Sequence, residues 1–232
     1  MIKKTYINSQ IDANLSRIKL KYHEKKTVKL ISKKLKSSKN FLDIGCANGS
    51  FLFNVSSLNN KVEYSGFDIS KKLINLANKK NTNKNIIFKT VNIDDYKTKK
   101  KFDIINASGI LSNYEDFRIP LKNWLSFKDK EGLLIIFGCF NSRNIDTIIK
   151  IRNNYNKSNW QYGLNQYSIK TIGHFLEKKG YNYKFVKFEL PINIKESKDP
   201  IRSYTVKINQ KKRIILTGAN IVKELFHLII SN

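Results

Sequence analysis

The sequence predicts an α/β fold: a mostly parallel, doubly wound sheet with helices on both faces. Three observations predict it. Five short apolar runs alternate with runs of helical period between residues 22 and 137, the pattern of βα repeats. The fifth run, Gly132–Phe137, is apolar throughout, as a strand buried on both faces must be. The first run, Phe41–Ile44, leads into a tight turn with glycine at both ends, Gly45 and Gly49, and then into a helical run with Phe51, Leu52, Val55 and Leu58.

The elements follow in order. Leu15, Ile18 and Tyr22 share one helical face, and Val28, Ile31 and Leu35 predict a helix over 22–36. Ser37-Ser-Lys-Asn40 ends it, and the first strand and its helix follow. Val62, Tyr64 and Gly66 mark the second strand, which stops at Asp68. Ser70 caps a helix over 71–80. The third strand is Ile86–Val91 and the fourth Phe102–Asn106. Pro120 lies in the first turn of a helix around Leu121–Phe127. After the fifth strand, Asn141–Asn159 mixes helical spacing at Ile145, Ile148 and Ile149 with an asparagine-rich loop. Ser168 caps a helix ending at Gly180, and Tyr183–Leu190 is a sixth strand. Arg202–Asn209 reads as a seventh strand with Lys212–Leu216 pairing to it, and Val222–Ile230 as a final amphipathic helix. No internal repeat or domain boundary interrupts the chain. The expectation is one domain over 1–232: a helical segment (1–39), a ligand-binding core (40–140) and substrate-side and C-terminal elements (141–232).

The formal net charge of +26 points, taken plainly, to nucleic acid or an anionic surface. The excess is almost all lysine, spread along the chain, with six arginines. Arginine is the residue suited to phosphate forks and base edges. Lysine, asparagine and isoleucine enriched together are what an AT-rich coding sequence produces, so charge alone is not taken as function. No run of eighteen apolar residues exists, and Met-Ile-Lys-Lys-Thr-Tyr lacks the apolar segment of a secretory leader. Cys46 and Cys139, without histidine spacing, suggest neither a disulfide framework nor a metal site. A cytoplasmic location is expected.

Ligands of open α/β sheets sit beyond the carboxyl ends of the strands. Those ends carry Asp43–Gly49, Asp68, Asn92–Asp94, Asn106–Ser108 and Gly138–Asn141. Asp68 is placed to accept hydrogen bonds from vicinal hydroxyls, as on a ribose. Asn92 is placed to pair with an adenine edge, while the Ile93 N–H addresses a ring nitrogen. The site therefore suits a nucleoside. A dinucleotide would need Gly-x-Gly-x-x-Gly, whereas this loop is Gly-x-x-x-Gly and carries Asp43, which repels a pyrophosphate. A carboxylate there suits a ligand bearing an ammonium, and S-adenosylmethionine has one and no phosphate.

At this point the chain resembles a family. Phe41-Leu-Asp-Ile-Gly-Cys-Ala-Asn-Gly49 closely resembles the first motif of class I S-adenosylmethionine-dependent methyltransferases. Gly66-Phe-Asp68 resembles their ribose position, Phe88-Lys-Thr-Val-Asn92-Ile the adenine motif, and Phe102-Asp-Ile-Ile-Asn106-Ala-Ser the fourth-strand motif. Glu131-Gly132-Leu-Leu-Ile resembles the family's fifth-strand start. The middle glycine of the first motif is Asn48 here, and the acidic adenine position is Asn92, with Asp94 nearby. The resemblance implies a seven-stranded sheet whose antiparallel seventh strand lies between the fifth and sixth. It also implies a cofactor set of Asp43, Gly45, Cys46, Ala47, Gly49, Asp68, Ile69, Asn92, Ile93, Asn106 and Ala107.

The acceptor side is less legible. Tyr114 and Glu115, in the loop after the fourth strand, and His23, at the helix feeding the first, are the candidate catalytic groups. Ser108, Trp160, Tyr162 and Asn165 are the candidate substrate contacts. His174 and His227 are read as structural. The fourth strand gives Asn-Ala-Ser-Gly and not the Asn-Pro-Pro-Tyr of enzymes that methylate base amines. The expectation is O- or N-methylation of a small polar acceptor: a metabolite, a sugar, or a precursor of surface polysaccharide or lipid. RNA methylation stands second, and a non-catalytic cofactor-binding subunit third.

Overall fold

The structure, a computed structural model, describes residues 18–152, 159–197, 199, 201–210 and 213–232. Leu15 of the first apolar stripe, and 153–158 of the asparagine-rich loop, lie outside the described residues.

Helix α1 (Tyr22–Ser37) buries a stripe of Glu24, Thr27, Ile31 and Leu35, the three- and four-residue spacing of one helical face. Its start is closed by Glu24, whose Oε2 accepts the Lys21 N–H at 2.7 Å. Strand β1 (Asn40–Ile44) and helix α2 (Ser50–Ser56) flank the glycine turn. Then come β2 (Glu63–Asp68), α3 (Lys71–Lys80), β3 (Ile86–Thr90) and β4 (Phe102–Ser108). Helix α4 (Arg118–Phe127) runs directly into β5 (Lys128–Asn141). Three two-residue strands follow, β6 (Lys150–Ile151), β7 (Gln161–Tyr162) and β8 (Tyr167–Ser168), before α5 (Ile169–Glu177) and β9 (Asn182–Phe188). The chain finishes with β10 (Ser203–Lys207), β11 (Arg213–Thr217) and β12 (Leu225–Ser231).

The main sheet runs β3-β2-β1-β4-β5-β12-β9, with β8 pairing β5 beyond this path. β1 to β5 are parallel, and β12 is antiparallel to both β5 and β9. Alternate residues face opposite layers. Phe41, Ile104 and Ile135 enter one core, while Leu42, Ile105 and Leu134 enter the other. Two buried faces explain why these strands read as unbroken apolar runs.

The antiparallel strand between β5 and β9 is where the resemblance places it, but different residues form it. Residues 225–231, read as part of a closing helix, are the strand itself. The run at 202–216, read as the seventh strand with its partner, is instead a separate antiparallel hairpin of β10 and β11. The physical cause is that β12 has neighbours on both edges and cores on both faces. Phe226, Leu228 and Ile230 join one core and Ile229 packs on the other, so no alternation marks it in sequence. His227 therefore lies on a strand and not on a helix, fully buried. The helical spacing of Ile145, Ile148 and Ile149 gives no helix either, and Ile145 and Ile148 are exposed. No helix among the described residues is long and apolar enough to cross a membrane.

Candidate active site

The turn after β1 is held from beneath. The Gly45 and Cys46 amides both donate to the Phe67 carbonyl of β2, at 2.8 and 3.1 Å. Gly45, Ala47 and Gly49 take positive φ values of 75°, 51° and 78°, the left-handed region that glycine enters freely. A side chain at Gly45 would stand 2.9 Å from Ile110 Cγ2. At Gly49 it would stand 2.5 Å from Phe88 Cζ, so this glycine is dictated by packing. Asn48, which replaces a glycine of the family motif, is wholly buried and its Oδ1 accepts from the Ser50 amide at 3.2 Å and hydroxyl at 2.6 Å. It closes the turn from inside without needing a positive φ.

Asp43 and Asn106 are register partners on β1 and β4. Both are buried, and the Asn106 Nδ2 donates to Asp43 Oδ1 at 2.7 Å. A carboxylate only accepts, so the amide must turn its NH₂ to it. That leaves Asn106 Oδ1 buried without a protein partner. Asp68 uses one oxygen on the Ser70 amide and the other on the Ala47 amide, each at 2.8 Å. Burial raises its pKa, and those two backbone bonds pull against the rise. Burial, then the charges of Asp43 and Asp68, hold the Cys46 thiol well above its ordinary value, so it stays protonated.

A cavity of about 760 Å³ opens over these strand ends. Of the residues singled out in the sequence, it gathers His23, Asp43, Gly45, Cys46, Ala47, Asp68, Ile69, Asn92, Ile93, Asn106, Ser108 and Tyr114. Gly49, Ala107, Glu115, Trp160, Tyr162 and Asn165 are not on its wall. Ala107 is wholly buried, and Trp160 is exposed against Arg152 at 4.8 Å. Tyr162 pairs with Lys150, again at 4.8 Å. Asn165 does a structural job: its Oδ1 accepts from the Ile149 amide at 2.7 Å and its Nδ2 donates to the Tyr114 carbonyl at 2.5 Å. Asn92 folds its own turn, donating to Asp95 at 2.5 Å. Tyr114 donates its hydroxyl to Asp94 at 2.8 Å. Burial, then the Asp94 charge and that hydrogen bond, push its phenol far up, so it is a proton holder at neutral pH and not a ready base. The His23 ring stacks on Phe137, with centroids 4.1 Å apart and planes 4° from parallel.

Several walls were not singled out in the sequence. Leu20 and Lys21, just before α1, close one side. The connection after β9 and the β10–β11 hairpin close another, through Ile192, Ile194, Ile201, Arg202, Ser203, Ile215 and Lys223. No local sequence signal marks them, since they reach the cavity only through the pairing of β12 with β5, where Leu225 stands opposite Cys139.

A family model described as a methyltransferase domain matches residues 35–189. A curated relative, a tRNA (guanine-N(7)-)-methyltransferase of Prochlorococcus marinus subsp. pastoris, is 35% identical over 111 residues, covering 40% of this chain and 53% of that protein. The chain thus spans about half the length of that relative. Among solved structures, the plantazolicin methyltransferase BpumL, in complex with a triazolic desmethyl-plantazolicin analog and SAH, superposes with a TM-score of 0.61 at 14% identity, over 97% of this chain and 91% of that one. Coclaurine N-methyltransferase, bound to N-methylheliamine and SAH, gives a TM-score of 0.60 at 12% identity, over 75% and 53% of the two chains. With a methyltransferase-domain model matching more than half of the chain, the sheet order complete and the first-motif turn lining the cavity, this chain belongs to the class I S-adenosylmethionine-dependent methyltransferases.

Proposed function

We propose that this methyltransferase moves a methyl group from S-adenosylmethionine to an O or N atom of a small polar acceptor: a metabolite, a sugar, or a precursor of surface polysaccharide or lipid. The observation that carries the reading is the acceptor side of the cavity. It is lined by Ile192, Ile194, Ile201 and Ile215 together with the polar Arg202, Ser203 and Lys223, apolar surface with a few polar groups, as small-ligand sites have. The whole cavity, cofactor side included, holds about 760 Å³, in the range of small-ligand pockets, about 300–1,000 Å³.

The residues present fit the cofactor. Asp43 offers a carboxylate, and Asn106 Oδ1 is a buried acceptor with no protein partner, so both suit an ammonium. The Ile110 side chain packs where a side chain at Gly45 would have to go, so this turn position takes glycine. Asp68, at the end of β2, retains lone pairs for a diol beside its two backbone bonds. When bound, the cofactor supplies a methyl group already activated on a sulfonium. The chain's own part is to orient and enclose. Asp43 and Asn106 fix the amino-acid end, Asp68 fixes the ribose, and the hairpin excludes water, so that the acceptor atom is held close to the methyl. Tyr114 holds its proton on Asp94 and limits the acceptor loop. His23 lies on the cavity wall and is the candidate base for a hydroxyl acceptor; a neutral amine acceptor needs no base.

A second reading has its own observation. The relative at 35% identity carries the name of a tRNA methyltransferase, and the chain's net charge is +26. Labelled methyl transfer from S-adenosylmethionine into fractionated cell extract separates the two. Label in the small-molecule or polysaccharide fraction supports the first. Label confined to RNA, with binding that weakens steeply as salt rises, replaces it with the second.

A further inference from the structure

Two cations stand on the acceptor wall of the cavity beside one hydroxyl. Lys223, in the segment before β12, donates from Nζ to Ser203 Oγ, at the start of β10, at 3.0 Å. Its backbone is pinned by its own amide donating to Ile215 O of β11 at 2.8 Å. Arg202 adjoins Ser203, and its Nε donates to Asp199 Oδ2 at 3.2 Å. All three side chains belong to residues on the cavity wall, among Ile194, Ile201 and Ile215. Among the described residues Lys223 has no carboxylate at salt-bridge distance. Asp199 therefore answers the Arg202 charge, and no carboxylate among the described residues answers that of Lys223.

An ammonium has three donors, and a hydroxyl takes one. A charge in apolar surroundings without a counter-charge is costly, and it is usually neutralised or paired. We propose that Lys223 and Ser203, with Arg202 beside them, bind an anionic group, a carboxylate or a phosphoryl, on the methyl acceptor. The proposal rests on the small-acceptor reading above. Burial holds the Lys223 pKa down, with the Arg202 charge adding to the fall and Cys139 opposing it, which is the state an incoming anion reverses.

Calorimetric titration of the full chain, with and without S-adenosylhomocysteine, tests this. The probes are hexanoate, benzoate and phenyl phosphate, against the neutral hexanamide and benzamide. The expected result is that at least one anion binds about tenfold tighter than its neutral counterpart, as one charge-assisted hydrogen bond provides. Lys223→Met erases that preference and Ser203→Ala reduces it, with S-adenosylhomocysteine affinity unchanged in both. The stronger of the carboxylate and phosphate arms names the acceptor's anion. Equal binding of anion and neutral probe, no binding of any anion at millimolar concentration, or a preference that survives Lys223→Met overturns the site. Should Lys223→Met lose S-adenosylhomocysteine binding through misfolding, Ser203→Ala decides alone: an undiminished preference there overturns the site. Failure of the wild-type chain to bind S-adenosylhomocysteine strikes at the cofactor reading instead, and leaves the anion comparison standing by itself.

Discussion

Asn106 donates to Asp43 across the β1–β4 register at 2.7 Å and is left with a buried carbonyl oxygen that no protein group meets. Buried polar atoms are nearly always paired. Under the proposed function this orphan receives the cofactor's ammonium donor, beside the Asp43 carboxylate.

Asp43→Asn tests the pair. The variant keeps shape and removes charge, and the two amides then compete for donors and acceptors. A hydrogen bond to a charged group contributes about 1.5–3 kcal/mol, so S-adenosylhomocysteine affinity should fall roughly ten- to hundredfold. Calorimetry on the purified variant measures it. An unchanged affinity would show that the cofactor's ammonium is held elsewhere.

Asp68→Asn should separate binding from stability. In the folded chain burial raises the carboxyl pKa, so the ionised form is disfavoured by folding. Any stability this group adds is present below its unfolded pKa and is lost as pH rises through the folded value. Removing the charge alone should cost little stability, but the amide has one acceptor oxygen and loses one of the two backbone bonds, at about 1–3 kcal/mol, and losing a diol acceptor should cost about 1.5–3 kcal/mol of cofactor affinity. Urea unfolding and calorimetry on the same preparation report the two quantities. A large stability loss with intact affinity would make Asp68 a turn-fixing residue, through its bonds to Ala47 and Ser70.

Gly49→Ala should destabilise through one identifiable clash. The new carbon would lie 2.5 Å from Phe88 Cζ at a residue with φ of 78°. Overpacking of this kind costs about 1–3 kcal/mol. A double variant with Phe88→Leu should recover part of that loss, and the size of the recovery in a double-mutant cycle isolates the clash from the backbone strain. No recovery would place the whole cost in the turn conformation.

The central strands were legible because a strand buried on both faces leaves a continuous apolar run, and polar residues mark its end. β1, β4 and β5 are of this kind, and their ends, Asp43, Asn106 and Gly138, needed only the rule that ligands sit at the carboxyl edge. The same continuity misled at β12. An unbroken run of five apolar residues with one histidine fits a helix and a two-sided strand equally, and only the pairing partners decide. For β10 and β11 the local pattern identified strands correctly but carried no information on which sheet they join. Asn165 reads in sequence as a candidate substrate contact, and in the structure it ties two loops together. Its partners, Ile149 and Tyr114, lie 16 and 51 positions away in the chain, beyond any local pattern. The acceptor wall was missed for the same reason, since Lys223, Ser203 and Ile215 meet only in three dimensions.

His227 gives a prediction in pH. It lies wholly buried on β12, with Nε2 3.1 Å from the Thr27 hydroxyl and 3.2 Å from the His23 carbonyl of α1. The carbonyl only accepts, so Nε2 carries the proton there and Nδ1 is bare, and Nδ1 has no partner. The ring is thus held neutral, with its pKa pushed down from 6.5 to about 4, chiefly by burial, against the pull of the His23 carbonyl and with the Lys26 charge adding to the fall. A depressed pKa contributes stability that is whole above the unfolded value and is lost as pH falls through the folded one. The window is therefore pH 6.5 to about 4, and the loss across it is on the order of 3 kcal/mol. Protonation would act first on the contact between β12 and the start of α1, whose His23 and Glu24 line the cavity. Wild-type chain and His227→Gln should be compared by urea unfolding at pH 7 and pH 4.5. The variant is expected to be less stable at pH 7, and to lose less than the wild type on acidification, the carboxylate contributions being common to both. Parallel losses in the two proteins would show that His227 is not the group that titrates.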